Sequence, residues 1–154
     1  MSIKIFLVIV FLAGSVAAQT PNDEVKKGFN EVNDWVVKAA EMVPADKYNY
    51  KPTDSVRTFG QLVAHITDSY NYFCANAVGN KVQWETPVEK GSTDKDALMP
   101  KLKESVGRCT AAYNAKNSQF GPLFANVGHT NLHYGNMITY IRMMGLTPPS
   151  TGTP

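Results

Sequence analysis

The sequence predicts an all-α protein folded as a four-helix bundle. Four blocks of the 154-residue chain place apolar residues every three or four positions, the spacing that puts them on one face of a helix. No block shows the apolar–polar alternation of a half-buried strand. Residues that start and end helices separate the blocks. Four helices, each with one apolar stripe, bury those stripes against one another as a bundle.

Residues 1–18 have the pattern of a cleaved signal peptide. Lys4 supplies a short basic region, residues 5–13 are apolar, and the small residues Val16, Ala17 and Ala18 precede the expected cleavage site. The apolar run is shorter than the roughly 20 residues that span a membrane. We therefore expect cleavage after Ala18 and export to the periplasm or the extracellular space, without a stable membrane anchor. The alternative is an uncleaved anchor.

The folded domain is expected to cover residues 19–149, followed by a disordered tail at 150–154. Its first helix is predicted from about Asn22 to Val43, with a proline at the first helical position and Pro44 at its end. The polar loop that follows contains two tyrosines, so we expect it to pack onto the bundle.

The second helix is predicted from about Phe59 to Val78, because Thr58 and Gln61 form the sequence signature of a capping box. The next loop, residues 81–92, is long for a bundle. It fits either a crossover along the bundle or a lid. Trp84 in this loop could roof a pocket or could anchor the packing.

The third helix is predicted from about Asp94 to Ala115, with Thr93 as its cap. Pro100 lies within the first two turns, which favours a regular start nearer to Met99.

The fourth helix is predicted from about Pro122 to Met144, where Gly145 and the prolines at 148 and 149 give a stop signal.

The three histidines of the chain all fall on inward faces of predicted helices. His129 and His133 are four residues apart on the fourth helix, which stacks their side chains about 5–6 Å apart at Cβ. His65 lies on the second helix, and a bundle brings inward side chains of facing helices together. Three converging imidazoles would hold one divalent metal ion, such as zinc, nickel or iron, and leave a coordination position open. The alternative is core histidines satisfied by hydrogen bonds.

Other metal sites of helical proteins are excluded by spacing. The chain has no Glu-x-x-His pair of the di-iron type and no haem-attachment motif. Thr130, Asn131 and Leu132 separate the histidine pair, so the zinc-protease motif is absent as well.

Helical geometry also identifies neighbours of the proposed metal. Asp68 follows His65 by three residues, so it either orients an imidazole, binds the water of the metal, or is simply a solvated carboxylate. Asn136 and Tyr140 continue the face of the histidine pair. Tyr140 could donate a hydrogen bond to a ligand of the metal or could be a core residue.

The two cysteines, Cys74 and Cys109, predict either one disulfide in an oxidising compartment or two buried thiols. A disulfide between them would require the second and third helices to be parallel, because only then do the two cysteines lie at the same depth in the bundle. The depth of the histidines favours parallel second and fourth helices. Either the disulfide is absent or the helices are staggered.

Two segments of the chain resemble the DinB-like four-helix-bundle superfamily. Residues 58–66 (TFGQLVAHI) resemble its first motif, and residues 129–149 (HTNLHYGNMITYIRMMGLTPP) resemble its last. The resemblance covers about residues 24–149 and implies a bundle with one divalent metal held by His65, His129 and His133. Many members carry Gly-Gln after the histidine pair, where this chain has Gly135 and Asn136.

Some members of this superfamily use the metal to activate a low-molecular-weight thiol, as S-transferases or isomerases. The resemblance therefore implies a metal-dependent transferase or hydrolase that activates a thiol or water against a small-molecule substrate. The alternative is a non-catalytic metal-binding or helical interaction module. A formal net charge of +2 argues against nucleic acid as a partner, and a homodimer is a reasonable expectation for a small bundle.

Overall fold

The structure, a computed structural model, describes residues 21–151. It contains four α-helices and, within those residues, no strand. The helices are α1 (Pro21–Met42), α2 (Phe59–Ala77), α3 (Lys95–Asn114) and α4 (Phe120–Met143). The predicted all-α four-helix fold is confirmed, and each helix end lies within two residues of its predicted position. The predicted signal peptide lies outside the described residues.

The first helix buries its predicted apolar stripe, which includes Phe29, Val32 and Val36. A short 3-10 turn at Ala45–Lys47 follows it. The ring of Tyr48 is then fully buried, and its hydroxyl donates to the carbonyl of Ala40 at 2.6 Å. The part of the polar loop that carries the tyrosines is therefore packed onto the bundle, as predicted, whereas residues 53–57 are exposed.

The second helix is the most deeply placed of the four, since none of its residues is exposed. The capping box is confirmed: Gln61 N donates to Thr58 Oγ1 at 3.1 Å, and Thr58 N donates to Gln61 Oε1 at 2.8 Å. A β-carbon added at Gly60 would lie 2.4 Å from the carbonyl oxygen of Thr93, so glycine allows the end of the long loop to pass close to α2.

The third helix begins differently from the prediction. Its N-cap position is Asp94 rather than Thr93, and regular helix starts at Lys95, ahead of Pro100 instead of near Met99. A proline at this depth removes only one hydrogen bond within the helix. The first turn is held from outside, because Lys95 Nζ donates to the carbonyl of Val43 at 2.8 Å.

The fourth helix starts at Phe120, so that Pro122 lies in its first turn, where a backbone N–H has no helical partner. Gly145 closes it with a φ of +76°, a conformation that glycine adopts without strain. Ser150, which was assigned to the disordered tail, hydrogen-bonds through N and Oγ to the hydroxyl of Tyr134. The packed domain therefore reaches past residue 149.

The second helix packs against α3 and α4, and α1 packs against α4 and α3. Residue numbers rise in the same direction along α2 and α3 at their contacts: Ser105 donates to Asn71 at 2.7 Å, and further along both helices Cys109 is bonded to Cys74. These two helices are parallel, and the long loop between them is a crossover.

The fourth helix runs antiparallel to α2. Near the start of α2, Tyr140 reaches the carbonyl of Arg57, whereas near its end Asn126 approaches Cys74. The expectation of parallel second and fourth helices is therefore wrong. Counting the depth of the histidines from the start of each helix gave the wrong direction. Because α4 is longer than α2 and staggered against it, the middle of α4 lies beside the first half of α2.

The crossover makes the cysteine pairing possible. The structure joins Cys74 to Cys109 in a buried disulfide between α2 and α3, with 5.1 Å between their Cα atoms. Within residues 21–151, no helix combines the length and the apolar character that crossing a membrane requires.

Candidate metal centre

The antiparallel packing of α2 and α4 brings the three histidines into one cluster. The ring of His65 lies 5.2 Å from that of His129 and 4.6 Å from that of His133, and the pair on α4 is 4.4 Å apart. One candidate ligand atom from each residue lies within 4.8 Å of the others. Nitrogens bonded to one zinc ion at about 2.0–2.1 Å are about 3–4 Å apart, so small ring movements would suffice to hold an ion.

The polar atoms of the cluster fit a metal better than they fit an ordinary core. The Nδ1 atoms of His129 and His133 are buried and have no hydrogen-bond partner among the described residues. Burial, reinforced by nearby positive charge such as that of Arg57, lowers the pKa of both residues to about 4. Both rings are therefore neutral near pH 7, which is the form that binds metals.

His65 is oriented by a carboxylate that the sequence did not reveal. Its Nδ1 lies 2.9 Å from Glu89 Oε2, and Glu89 Oε1 accepts from Arg57 Nε at 2.6 Å. Burial opposes ionisation of Glu89, but the hydrogen bonds from Arg57 and His65 outweigh it and lower its pKa. An ionised carboxylate only accepts, so Nδ1 of His65 carries the proton and its Nε2 lone pair is free for a metal.

Asp68 contacts the long loop rather than the histidine rings. Its side chain is only 1% exposed and accepts hydrogen bonds from the backbone N–H groups of Val88 at 3.1 Å and Glu89 at 2.9 Å. Burial raises the pKa of Asp68, and these two bonds partly offset the rise. The alternative of a solvated carboxylate is therefore wrong. Asp68 fixes the loop segment that carries Glu89, and the charges of Asp68 and His65 also interact directly.

The other two predicted neighbours lie beside a cavity of about 510 Å³ that His133 also lines. Asn136 lines it directly. Tyr140 lines it too, but its hydroxyl donates to the carbonyl of Arg57 at 2.8 Å and so positions the residue that holds Glu89. The cavity opens beside the cluster, between the start of α2, the long loop and α4.

Trp84 covers the cluster from the side of the long loop. Its ring lies 5.6 Å from His65, 5.9 Å from His129 and 5.2 Å from Tyr72. The loop is thus a crossover that also covers the cluster, and Trp84 packs against the histidines without lining the cavity beside His133. Phe73 adds a second apolar wall, 5.6 Å from His129.

Arg57 and Glu89 were missed by sequence reasoning because both lie in irregular segments, where no helical period reports which way a side chain points. The one available signal was indirect. Arg57 directly precedes the N-cap of the helix that carries His65, and Glu89 lies in a loop too long for a simple connection.

Comparison with known proteins identifies the family of the chain. A family model described as the DinB superfamily matches residues 29–123, a range that includes His65 and ends before the pair on α4. An uncharacterized protein of Bacillus subtilis (strain 168), YjoA, is 30% identical over 125 residues, which cover 70% of this chain and 80% of the relative. The chain therefore belongs to the DinB superfamily.

Proposed function

We propose that the protein binds one divalent metal ion through His65, His129 and His133 and acts as a metal-dependent transferase or hydrolase on a small molecule. The cluster itself carries this proposal. Three inward imidazoles converge from two helices, and two of them have buried nitrogens without a hydrogen-bond partner in the described part of the chain. Uncompensated polar atoms in such a place are costly, and a metal removes that cost.

The surroundings favour a catalytic site over a closed structural one. Within residues 21–151, no fourth histidine, cysteine or carboxylate joins the cluster. Asp68, the obvious candidate for a fourth ligand, is occupied by two backbone N–H groups. Three protein ligands with a free position are typical of catalytic zinc sites. The adjacent cavity of about 510 Å³ lies in the size range of small-molecule sites.

The chemistry that a divalent ion supplies in such a site is a lowered pKa of water or of a thiol, which becomes a nucleophile at neutral pH. The residues of the chain prepare the site for it. Glu89 fixes the tautomer of His65, and Arg57 fixes Glu89. Trp84 and Phe73 limit the access of water from the side of the loop. The substrate would lie in the cavity that Asn136 lines.

We also propose that the protein is exported, with its signal peptide cleaved after Ala18. The buried disulfide between Cys74 and Cys109 supports this, because disulfides persist in oxidising compartments and are rare in the cytosol. The test is the intact mass of the protein recovered from fractionated cells. A mature form that begins at Gln19 is expected, and an uncleaved chain in the cytoplasm would contradict it.

Elemental analysis of tag-free protein tests the metal site. We expect about one equivalent of metal in the wild type and a loss of bound metal in a His129→Ala variant. Asn131→Ala is the matched control, since Asn131 is exposed on the same helix. A wild type that holds less than about a tenth of an equivalent, even after incubation with zinc, nickel or iron salts, would contradict the proposal.

A separate experiment distinguishes a catalytic site from a closed one. In cobalt-substituted protein, azide or a small thiol should change the visible absorption spectrum if a coordination position is open. An unchanged spectrum at saturating azide and thiol would show a closed site and favour the non-catalytic alternative.

A further inference from the structure

The outward face of α4 is unusual for a helix at the surface of a bundle. Between Phe120 and Ile141 it carries no lysine, arginine, aspartate or glutamate, and Arg142 near its end is the only such residue in the helix. Half of its positions are nevertheless exposed, including Phe124 at 62% and Leu132 at 64%. Other exposed positions carry polar but uncharged side chains, including Asn131, Asn136 and Thr139. The outward face of a surface helix normally carries charged as well as polar residues.

An exposed face that lacks charge is specific to α4 and is not shared by the other helices. The outward faces of α1 and α3 carry exposed charges such as Glu31, Asp34, Lys101 and Glu104. The second helix lacks exposed charges too, but there none of the residues is exposed. Among the four helices, only α4 combines a near-absence of charge with an open face, and residues 21–151 supply nothing that covers it.

The pattern on this face is symmetric about Gly128. Phe124 and Leu132 lie four residues before and after it, and Gly121 and Gly135 lie seven before and after it. A β-carbon added at any of the three glycines would meet nothing within 4 Å, so nothing in the described fold requires glycine there. Except for proline, glycine also destabilises the interior of a helix more than any other residue.

We propose that α4 pairs with α4 of a second copy of this chain, antiparallel, around a two-fold axis at Gly128. A two-fold interface is self-complementary. This pairing sets Phe124 opposite the partner subunit's Leu132, and Gly121 opposite the partner subunit's Gly135. The glycines allow the two backbones to approach closely. Because the face has no charges, the two copies do not repel each other. A lipid surface fits less well, since helices that lie on membranes usually carry lysine and arginine beside the apolar face.

The pairing does not depend on a bound metal, because His129 and His133 lie on the inward side of the same helix. It would nevertheless brace the helix that supplies two of the three proposed ligands. The proposed dimer and the proposed metal site can therefore be refuted independently, the first by sedimentation and the second by elemental analysis.

Sedimentation equilibrium of the form that begins at Gln19, with and without added zinc, tests the association. We expect a dimer in both conditions. Leu132→Lys, which places a charge against the apolar partner surface, should raise the dissociation constant at least about 30-fold. Val78→Lys is the control, since Val78 is exposed outside α4 and should leave association unchanged. A monomer at about 100 µM, or a dimer that tolerates Leu132→Lys, would overturn the proposal.

Two further variants separate association from folding. Gly128→Ala should weaken the dimer about tenfold, while in the isolated subunit it should raise the melting temperature by about 3 °C. Gly107→Ala, at an equally open position on α3, should stabilise without affecting association. Gly128→Cys should cross-link to itself under mild oxidation, and Gly121→Cys should not, because its counterpart is the partner subunit's Gly135. Equal cross-linking of both cysteine variants would contradict the antiparallel arrangement.

Discussion

Replacing Glu89 with glutamine removes one charge and keeps the size of the side chain. In the native site the two oxygens of Glu89 each face a donor, His65 Nδ1 at 2.9 Å and Arg57 Nε at 2.6 Å. Glutamine has one oxygen and one NH₂ group, so one of these donors must face another donor. The hydrogen bond to His65 also loses the assistance of the charge.

The expected cost can be worked from those contacts. A carboxylate that orients a metal-binding histidine contributes about 10- to 100-fold to metal affinity, or about 1.4–2.7 kcal/mol. A hydrogen bond to a charged group contributes a similar amount, about 1.5–3 kcal/mol. Because Glu89 is only 17% exposed, solvent replaces little of this interaction. We therefore expect Glu89→Gln to bind zinc about 10- to 100-fold more weakly than the wild type.

Competition against a chromophoric zinc chelator measures the affinity directly. Glu85→Gln is the matched control, because it makes the same charge change at an exposed position of the same loop. Melting temperatures of the metal-free proteins show whether the fold is intact. Unchanged zinc affinity in Glu89→Gln would refute the positioning role. An equal loss of zinc affinity in both variants would show that the effect comes from the change in net charge alone.

Three further predictions follow from the described contacts. Asp68→Asn leaves one acceptor for two backbone N–H groups, so urea unfolding should show a loss of about 1–3 kcal/mol, and a loss below about 0.5 kcal/mol would contradict the anchoring role. His129 and His133 have folded-state pKa values of about 4 against an ordinary 6.5, so the unfolded state binds more protons between those values. Metal-free protein should therefore lose stability as the pH falls from about 6.5 to about 4, and a double alanine variant at these positions should show a shallower decline in urea titrations. Cys74 and Cys109 are 35 residues apart, so a double alanine variant should lose about 3–4 kcal/mol of unfolding free energy, while a reductant should barely affect that variant.

The helices and the histidines could be predicted because both follow a local rule. An apolar stripe at helical spacing reports which way each side chain points, and that placed His65, His129 and His133 inward without any knowledge of helix order. The same rule placed Asp68 near the site but could not give its partners. Those partners are backbone groups of the long loop, 20 and 21 residues further along the chain.

The direction and stagger of the helices depend on contacts distant in sequence. The parallel arrangement of α2 and α3 requires the crossover, and the close passage at Gly60 is visible only once the chain has folded. Arg57 and Glu89, which are 32 residues apart in sequence, likewise form their hydrogen bond only in the folded chain. No local period relates such residues, so the immediate surroundings of the proposed metal were the least predictable part of the site.

The crossover that covers the cluster lies inside a covalent ring. The chain from Cys74 to Cys109 leaves α2, passes over the histidines with Trp84 and Glu89, and returns through α3 to the sulfur where it began. A protease that cuts the exposed segment at Lys81–Gln83 would open this ring without separating the chain into two molecules. The two fragments would stay joined through Cys74 and Cys109, so the cut cover would remain attached to α3 beside the site.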